Sequence, residues 1–205
     1  EVDYAKRLPT YGVTLTARGV SLQDFLNAKR RPDEPELKLK GRMEGTLALT
    51  GQIGNPASRQ GSGSVLISDA QIIKMPMILS ILQLVNLTAD SNAFHDALLD
   101  FMVDGDDVIL ERIDLRGKSL SMVGAGRVQA TSTAMHLILL VGSPLRLPRV
   151  QVLSELLEGV ARELMEVHVQ GTLEQPTFRA DIVRSLRKSI EAMTADWRKA
   201  KVEWD

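Results

Sequence analysis

The chain has 205 residues, 44% hydrophobic but only 4% aromatic, with no cysteine and with 25 Lys and Arg against 26 Asp and Glu. A formal charge of −1 argues against electrostatic capture of nucleic acid, and so few aromatics leave little for single strands to stack on. Without thiols there are no disulfide staples or thiolate metal sites, and no apolar run reaches the about 20 residues that a membrane-spanning helix needs.

Glu1 opens the chain with neither an initiator Met nor a signal-like run, so it is read as a piece of a longer polypeptide. Residues 11–18 alternate Val13, Leu15 and Ala17 with Thr14 and Thr16, the period of a half-buried strand. Ser21 is placed to cap a short helix over residues 22–29. Residues 27–36, NAKRRPDEPE, form a charged, proline-broken linker. From Leu37 the odd positions carry Leu37, Leu39, Met43, Leu47, Leu49 and Ile53, while Lys, Arg, Glu and Thr dominate the even ones. Gly41 and Gly45 are expected to bend this run into two strands. Residues 55–63 read as a Gly/Ser/Pro loop, followed by a strand through Val65 and Ile67 to about residue 73.

Pro76 stands where a first helical residue belongs. Met77, Ile78, Leu79, Ile81, Leu82, Leu84, Val85 and Leu87 then leave only Ser80, Gln83 and Asn86 as a polar stripe. A meander follows. Ala97, Leu99, Phe101 and Val103 make one strand, Asp104-Gly105-Asp106-Asp107 a turn, and Val108, Leu110, Ile113 and Leu115 the next. The change of parity after Leu110 predicts a bulge. Further strands carry Leu120, Met122, Gly124, Gly126 and Val128, then Met135, Leu137, Leu139 and Val141. Residues 148–165 are predicted helical, with Val152, Leu156, Leu157, Val160 and Leu164 on one face. Val167, Val169, Gly171 and Leu173 form a strand and residues 177–180 a short last one. From about residue 182 a tail helix sets Ile182, Leu186, Ile190, Met193 and Trp197 against Arg184, Arg187, Lys188, Arg198, Lys199 and Lys201. The fold class is α+β, mainly β: a long antiparallel meander with about three amphipathic helices.

One pattern occurs twice, in Leu49-Thr50-Gly51-Gln52-Ile53-Gly54-Asn55-Pro56 and Val169-Gln170-Gly171-Thr172-Leu173-Glu174-Gln175-Pro176. Each runs apolar, x, Gly, x, apolar, x, amide, Pro, a strand that meets a glycine and then stops at an amide–proline turn. Two such endings suggest similar β-units stacked side by side.

Catalytic chemistry finds no support. His95, His136 and His168 fall on different elements without ligand spacing, and Asp104, Asp106 and Asp107 lack the other ligands of a calcium loop. Gly61-Ser62-Gly63 and Gly124-Ala125-Gly126 do not join a strand to a helix N-terminus, and Ser143 lacks a nucleophile-elbow context. No catalytic residue, metal site or cofactor is expected.

Residues 61–178 resemble the C-terminal region of the AsmA-like family, TamB-related bridge-like lipid-transfer proteins of Gram-negative envelopes. The likeness lies in the order of Gly63-Ser64-Val65-Leu66-Ile67-Ser68-Asp69-Ala70-Gln71-Ile72, Met75-Pro76 and Ala93-Phe94-His95-Asp96-Ala97. The Asp104-Gly105 turn, Gly124-Ala125-Gly126-Arg127-Val128 and the closing stretch from Val169 to Pro176 complete it. The resemblance implies a periplasmic sheet curled into a U-shaped groove, apolar inside, that carries phospholipid between the inner and outer membranes in outer-membrane biogenesis. It also implies tethering to the inner membrane through a segment outside this chain. Three regions follow: residues 1–60 as an N-terminal β segment of the groove, 61–180 as the family-like groove, and 181–205 as a C-terminal amphipathic helix.

The expected lipid-binding lining is Leu47, Leu49, Val65, Ile67, Leu99, Phe101, Val108, Leu110, Leu120, Met122, Leu137, Leu139, Val167 and Val169. Acyl chains gain roughly 0.8 kcal/mol per CH₂ removed from water, which calls for continuous aliphatic surface rather than a few aimed polar groups. The same alternation builds the core of any closed sandwich, so the residues alone leave lining and core both open. About ten strands at ~4.8 Å spacing would make a segment of roughly 45–50 Å. Met77, Ile78, Ile81, Leu82 and Val85 mark a helix that either closes the groove, packs on the sheet or touches a membrane. The basic tail, with Trp197 and Trp204, either lies on an anionic membrane surface or docks on the groove. Phospholipid, a membrane surface and an envelope protein are the partners expected, with nucleic acid excluded. The competing function is a non-enzymatic scaffold in outer-membrane protein assembly that offers a sheet edge or the tail helix to a partner.

Overall fold

The computed structural model of the chain describes residues 8–28, 36, 39–70, 76–84, 94–118, 120–144, 147 and 164–202. Nine strands form one antiparallel sheet in sequence order: β1 (Thr10–Ser21), β2 (Arg42–Gln52), β3 (Asn55–Ser68), β4 (Asp96–Asp104), β5 (Asp107–Arg116), β6 (Ser121–Gln129), β7 (Ala134–Gly142), β8 (Met165–Thr172) and β9 (Pro176–Ile182). The sheet is open, with β1 and β9 at its two edges. Among the described residues three helices accompany it: α1 (Leu22–Asn27), α2 (Pro76–Leu84) and α3 (Leu186–Val202).

A strict meander sorts its connections between two rims. Tight hairpins at residues 53–54, 105–106, 130–133 and 173–175 all lie on one rim, because each follows an even-numbered strand. They are stitched in series. Ile53 N donates to Pro9 O at 2.8 Å, Gly105 N to Arg59 O at 2.7 Å, Ala130 N to Asp106 O at 2.8 Å and Leu173 N to Thr133 O at 3.3 Å. Gly54 (φ 81°) and Gly105 (φ 57°) take the left-handed conformation that the first two turns demand. The helices leave from the other rim. Ser21 caps α1 as expected, its side chain accepting from Asp24 N at 3.3 Å, and Pro76 opens α2.

The register explains the alternation. Four ladder rows cross all nine strands on one face, here called the inner face. One runs Leu15, Leu47, Gly63, Phe101, Leu110, Gly126, Leu137, Val169, Phe178. A second runs Ala17, Gly45, Val65, Leu99, Ile113, Gly124, Leu139, Val167, Ala180. The others start at Val13 and Val20 and end at Pro176 and Ile182. None of the four contains a polar side chain. The bulge expected after Leu110 is present: Asp100 faces Arg112 while Phe101 faces Leu110, so Glu111 is the extra residue that keeps Ile113 on the inner face.

Both faces carry a helix. On the inner face, Leu22 of α1 and Ile78, Ile81 and Leu82 of α2 join Met122, Leu137, Leu139, Val167 and Val169 in the main hydrophobic cluster. On the outer face, Leu186, Ile190 and Met193 of α3 pack with Val123, Ala125, Ile138 and Leu140 of β6 and β7. Each such side chain stabilises by about 1.5–3 kcal/mol when fully buried. Elsewhere the outer face mixes polar runs, such as Thr16, Thr46, Ser64, Asp100 and Arg112 across β1–β5, with apolar positions: Met102 and Ile109 form a small buried cluster and Leu66 is exposed.

Several elements differ from the sequence expectation. Residues 55–63 are not a loop but the first half of the fourteen-residue β3. Their glycines receive large neighbours: a Cβ on Gly63 would sit 2.5 Å from Phe101 Cζ and 2.6 Å from Thr46 O. Gly45 does not divide the run after Leu37 either. It lies inside β2, between Ala17 and Val65. The repeated endings are hairpins, with Asn55–Pro56 and Pro176 beginning the next strand rather than terminating the last. Ile182 closes β9 opposite Met165, so α3 starts four residues later than expected, and Met165 opens β8 rather than ending a helix. Residue 60 falls inside β3, so the sheet continues across the boundary drawn there. The linker at 29–35, residues 85–93 and the helix expected over 148–163 lie outside the described residues.

Candidate functional site

The inner face is the candidate site, an apolar lane running across the strands. Its lining graduates from open to closed. Val13 and Leu15 on β1 are 42% and 56% exposed. Leu47, Leu49, Val65 and Ile67 on β2 and β3 are half-buried, as are Leu99, Phe101, Val108 and Leu110 on β4 and β5. Leu120, Met122, Leu137, Leu139, Val167 and Val169 are buried, and Met122, Val167 and Val169 are completely so. The fourteen residues therefore share one face but divide into eight with solvent contact and six inside the main cluster. The six are closed core, and the chain's own side chains occupy the space that a guest would need there.

Alpha helix α2 contributes to that closure. Ile78, Ile81 and Leu82 are buried in the same cluster and Met77 packs against it, so its apolar stripe is spent on the protein itself. Leu84 is exposed, and Val85 lies outside the described residues. The tail helix is likewise committed: Leu186, Ile190 and Met193 face the sheet. The Trp197 side chain and Trp204 are outside the described residues.

Glycines shape the lane. On β3 and β6 they alternate along the inner rows, and the large side chain of the neighbouring strand lies over each one. A Cβ on Gly124 would come within 2.5 Å of Leu139 Cδ2, and one on Gly61 within 3.0 Å of Leu49 Cδ1. Large residues thus lie flat across small ones, which keeps the lining smooth.

The polar groups sit elsewhere. A cleft of about 820 Å³ lies between α3 and β8–β9 and includes Glu166, Arg179, Asp181, Lys188 and Ser189. None of the fourteen lining residues borders it. Sequence reasoning missed its central cluster, because Ser189 and Glu166 meet only through the docking of α3. Ser189 Oγ donates to Glu166 Oε2, while Glu166 Oε1 lies 2.6 Å from His168 Nε2. The carboxylate stands between hydroxyl and imidazole, so the trio clamps α3 to β8 and does not have the hydroxyl–imidazole contact of a nucleophile. Arg179 pairs with Asp181 at 2.8 Å in the same cleft. A second outer-face pair, Asp114 and Arg116, is buried, and Arg116 Nη1 donates to the Leu147 carbonyl.

His95, His136 and His168 are not brought together, and among the described residues no group of His, Cys, Asp or Glu is arranged to hold a metal ion. Asp106 accepts from Thr131 Oγ1 at 2.5 Å within the hairpin rim. Sequence reasoning also left Val13, Leu15, Val103, Val128, Met135 and Phe178 off the lining, although the register sets them in the same rows. The alternation of Val13 and Leu15 was a sufficient signal for those two. No helix among the described residues is long and apolar enough to cross a membrane.

No protein-family model matches the chain, and the searches of curated proteins and of solved structures likewise return no match.

Proposed function

We propose that the chain is a phospholipid-sheltering module of the periplasm that works without catalysis in outer-membrane biogenesis, with lipid tails lying on the open part of the lane. The observation that carries this reading is the set of four ladder rows without a polar side chain, in which Val13 and Leu15 stand exposed on β1 and Leu47, Leu49 and Val65 beside them are only half-buried. Aliphatic surface kept in water is unfavourable by about 25 cal/mol per Å², so its continuity across neighbouring strands supports an apolar occupant. Dimensions agree as well. The hydrocarbon core of a bilayer is about 30 Å thick, so one tail spans about 15 Å; β1 to β4 cover about the same width at ~4.8 Å per strand. The tail lies across the strands, the headgroup stays in water beyond a rim, and α2 with the buried rows closes the far end.

The likeness of residues 61–178 to the AsmA-like family supports the U-shaped curl of the sheet, the envelope setting and an inner-membrane tether supplied by a segment outside this chain. A second reading, an interaction scaffold for an envelope protein, is favoured by the sheet's two edges and the polar cleft beside α3.

The test is to purify the chain, extract it with organic solvent and identify bound lipid by mass spectrometry. Phospholipid should be recovered from the wild type and lost from Leu47→Glu/Leu49→Glu, with the circular dichroism spectrum unchanged. A folded wild type that carries no phospholipid, and takes none up from vesicles, refutes the proposal.

A further inference from the structure

Beyond the four apolar rows the register defines a fifth on the inner face, and it is polar. The β3–β4 ladder continues past Gln60 and Asp104, since the Arg59 carbonyl accepts from Gly105 N at 2.7 Å. Arg59 stands two residues before Gly61, so its side chain belongs to the inner face, whereas Asp104 falls with Gln60 on the outer one. On β1 and β2 the same row holds Tyr11 and its ladder partner Gly51. The Tyr11 ring lies over that glycine: a Cβ on Gly51 would come within 2.8 Å of Tyr11 Oη and 2.9 Å of Cζ. The phenol thus reaches across β2 towards β3, where the register of Thr50 with Gln60 projects Arg59. Both side chains are half-buried, and neither makes a hydrogen bond or ion pair among the described residues.

The opposite end of the same rows is built from hydrocarbon. At the helix rim Leu22, Leu39 and Ala70 are buried, and Leu22 N donates to Gly41 O at 3.0 Å. Packing there is tight: a Cβ on Gly41 would lie 2.9 Å from Ala70 Cβ and 3.2 Å from Leu22 Cδ2. The charges at that rim, Arg42 and Asp69, are largely exposed and pair with each other at 2.8 Å. The open lane therefore has a direction. One end is sealed by apolar side chains, and the other is marked by a guanidinium and a phenol hydroxyl.

We propose that Arg59 and Tyr11 form a headgroup site at the hairpin rim, where they bind the phosphodiester of a phospholipid whose tails lie on the adjoining apolar rows. It rests on the lipid-sheltering reading above and adds to it a ligand chemistry and a direction of loading. A guanidinium presents its N–H groups as a planar fork that matches two phosphate oxygens. The phenol O–H donates to a further oxygen of the headgroup. Glycines stand beside Arg59 on both neighbouring strands, so only the Tyr11 ring shares its place in the row. A phosphate without tails would gain the ion pair but none of the apolar burial, so the acyl chains set the affinity and Arg59 sets the selectivity.

The test equilibrates the chain with vesicles of phosphatidylglycerol and diacylglycerol carrying the same acyl chains, then measures the ratio of the two lipids on the re-isolated protein. Relative to the wild type, Arg59→Gln should lower that ratio about tenfold and Tyr11→Phe about threefold. Arg59→Lys keeps the charge and should lose less than Arg59→Gln. Arg42→Gln, at the helix rim, should leave the ratio unchanged. Circular dichroism reports whether each variant is folded, and Tyr11→Phe with Arg59→Lys decides the matter if Arg59→Gln is not. A wild type that takes up neither lipid refutes the lane and the headgroup site together. Uptake of both lipids at a ratio that Arg59→Gln leaves unchanged, whether or not stability falls, overturns the headgroup site and leaves the lane standing. An equal loss with Arg42→Gln overturns it too. So does binding of glycerol 3-phosphate alone with a Kd below about 1 mM, the behaviour of a free-phosphate site.

Discussion

Leu47→Ala and Leu137→Ala remove the same atoms from two places in one ladder row, five strands apart. Leu137 is 6% exposed and belongs to the main cluster, so its truncation leaves a cavity that surrounding side chains fill only partly. Buried Leu→Ala changes cost about 2.7–5.0 kcal/mol, and about 3 is expected here. Leu47 is half-buried beside open solvent. Its loss removes roughly half as much apolar area and leaves no closed void, which gives about 1 kcal/mol. For a domain of this size each kcal/mol moves Tm by about 2–4 °C, so about 6–12 °C is expected for Leu137→Ala against about 2–4 °C for Leu47→Ala. Lipid-free protein in thermal and urea unfolding reads the difference directly. Equal losses at the two positions would falsify the division of the row into open lane and closed core.

Other consequences follow from single contacts. Arg116→Met strips Asp114 of its buried partner and should lower stability by about 3–5 kcal/mol, while Asp114→Leu/Arg116→Met together should recover most of it in urea titrations. Gly63→Ala forces a Cβ against Phe101 Cζ and the Thr46 carbonyl, so a loss of about 1–3 kcal/mol is expected. Adding Phe101→Leu should relieve only part of it, because the Thr46 contact is backbone; full rescue would contradict the packing described. Ser21→Ala deletes the cap of α1 and should cost about 1 kcal/mol, measured by denaturant midpoint. Glu166→Gln weakens the clamp of α3 on β8, and amide exchange should accelerate in α3 before it does in β6–β8.

Local chemistry made much of the fold readable. The alternation of β1, β4, β7 and β8, the Asp104-Gly105 hairpin, the bulge at Glu111, the Ser21 cap and the Pro76 start each depend on residues within a few positions of one another. Glycine was the main source of error. Gly45, Gly61 and Gly63 look like breakers in a string of small polar residues, yet each lies inside a strand, and Gly61 and Gly63 receive a large side chain from the strand beside them. Only the register, a long-range property, shows that they are packing partners. Alternation assigned the fourteen expected lining residues to one face; the ladder rows hold thirteen of them on the inner face, and Leu120, just before β6, joins the same cluster. Which of them stay open depends on where α1 and α2 dock, and Leu22 and Ile81 reach the cluster from other parts of the chain. The start of α3 was misplaced for the same reason, since Ile182 fits a helical period as well as it fits its ladder partner Met165.

The most direct measurement is photocross-linking of radiolabelled phospholipid from single benzophenone-bearing positions along the sheet. Labelling should be strong from Leu47, Leu49 and Val65, and absent from Val167, Val169 and the outer-face position Ala48. Equal labelling of both faces, or none from β2 and β3 in protein that is folded, would contradict an open apolar lane as the seat of function.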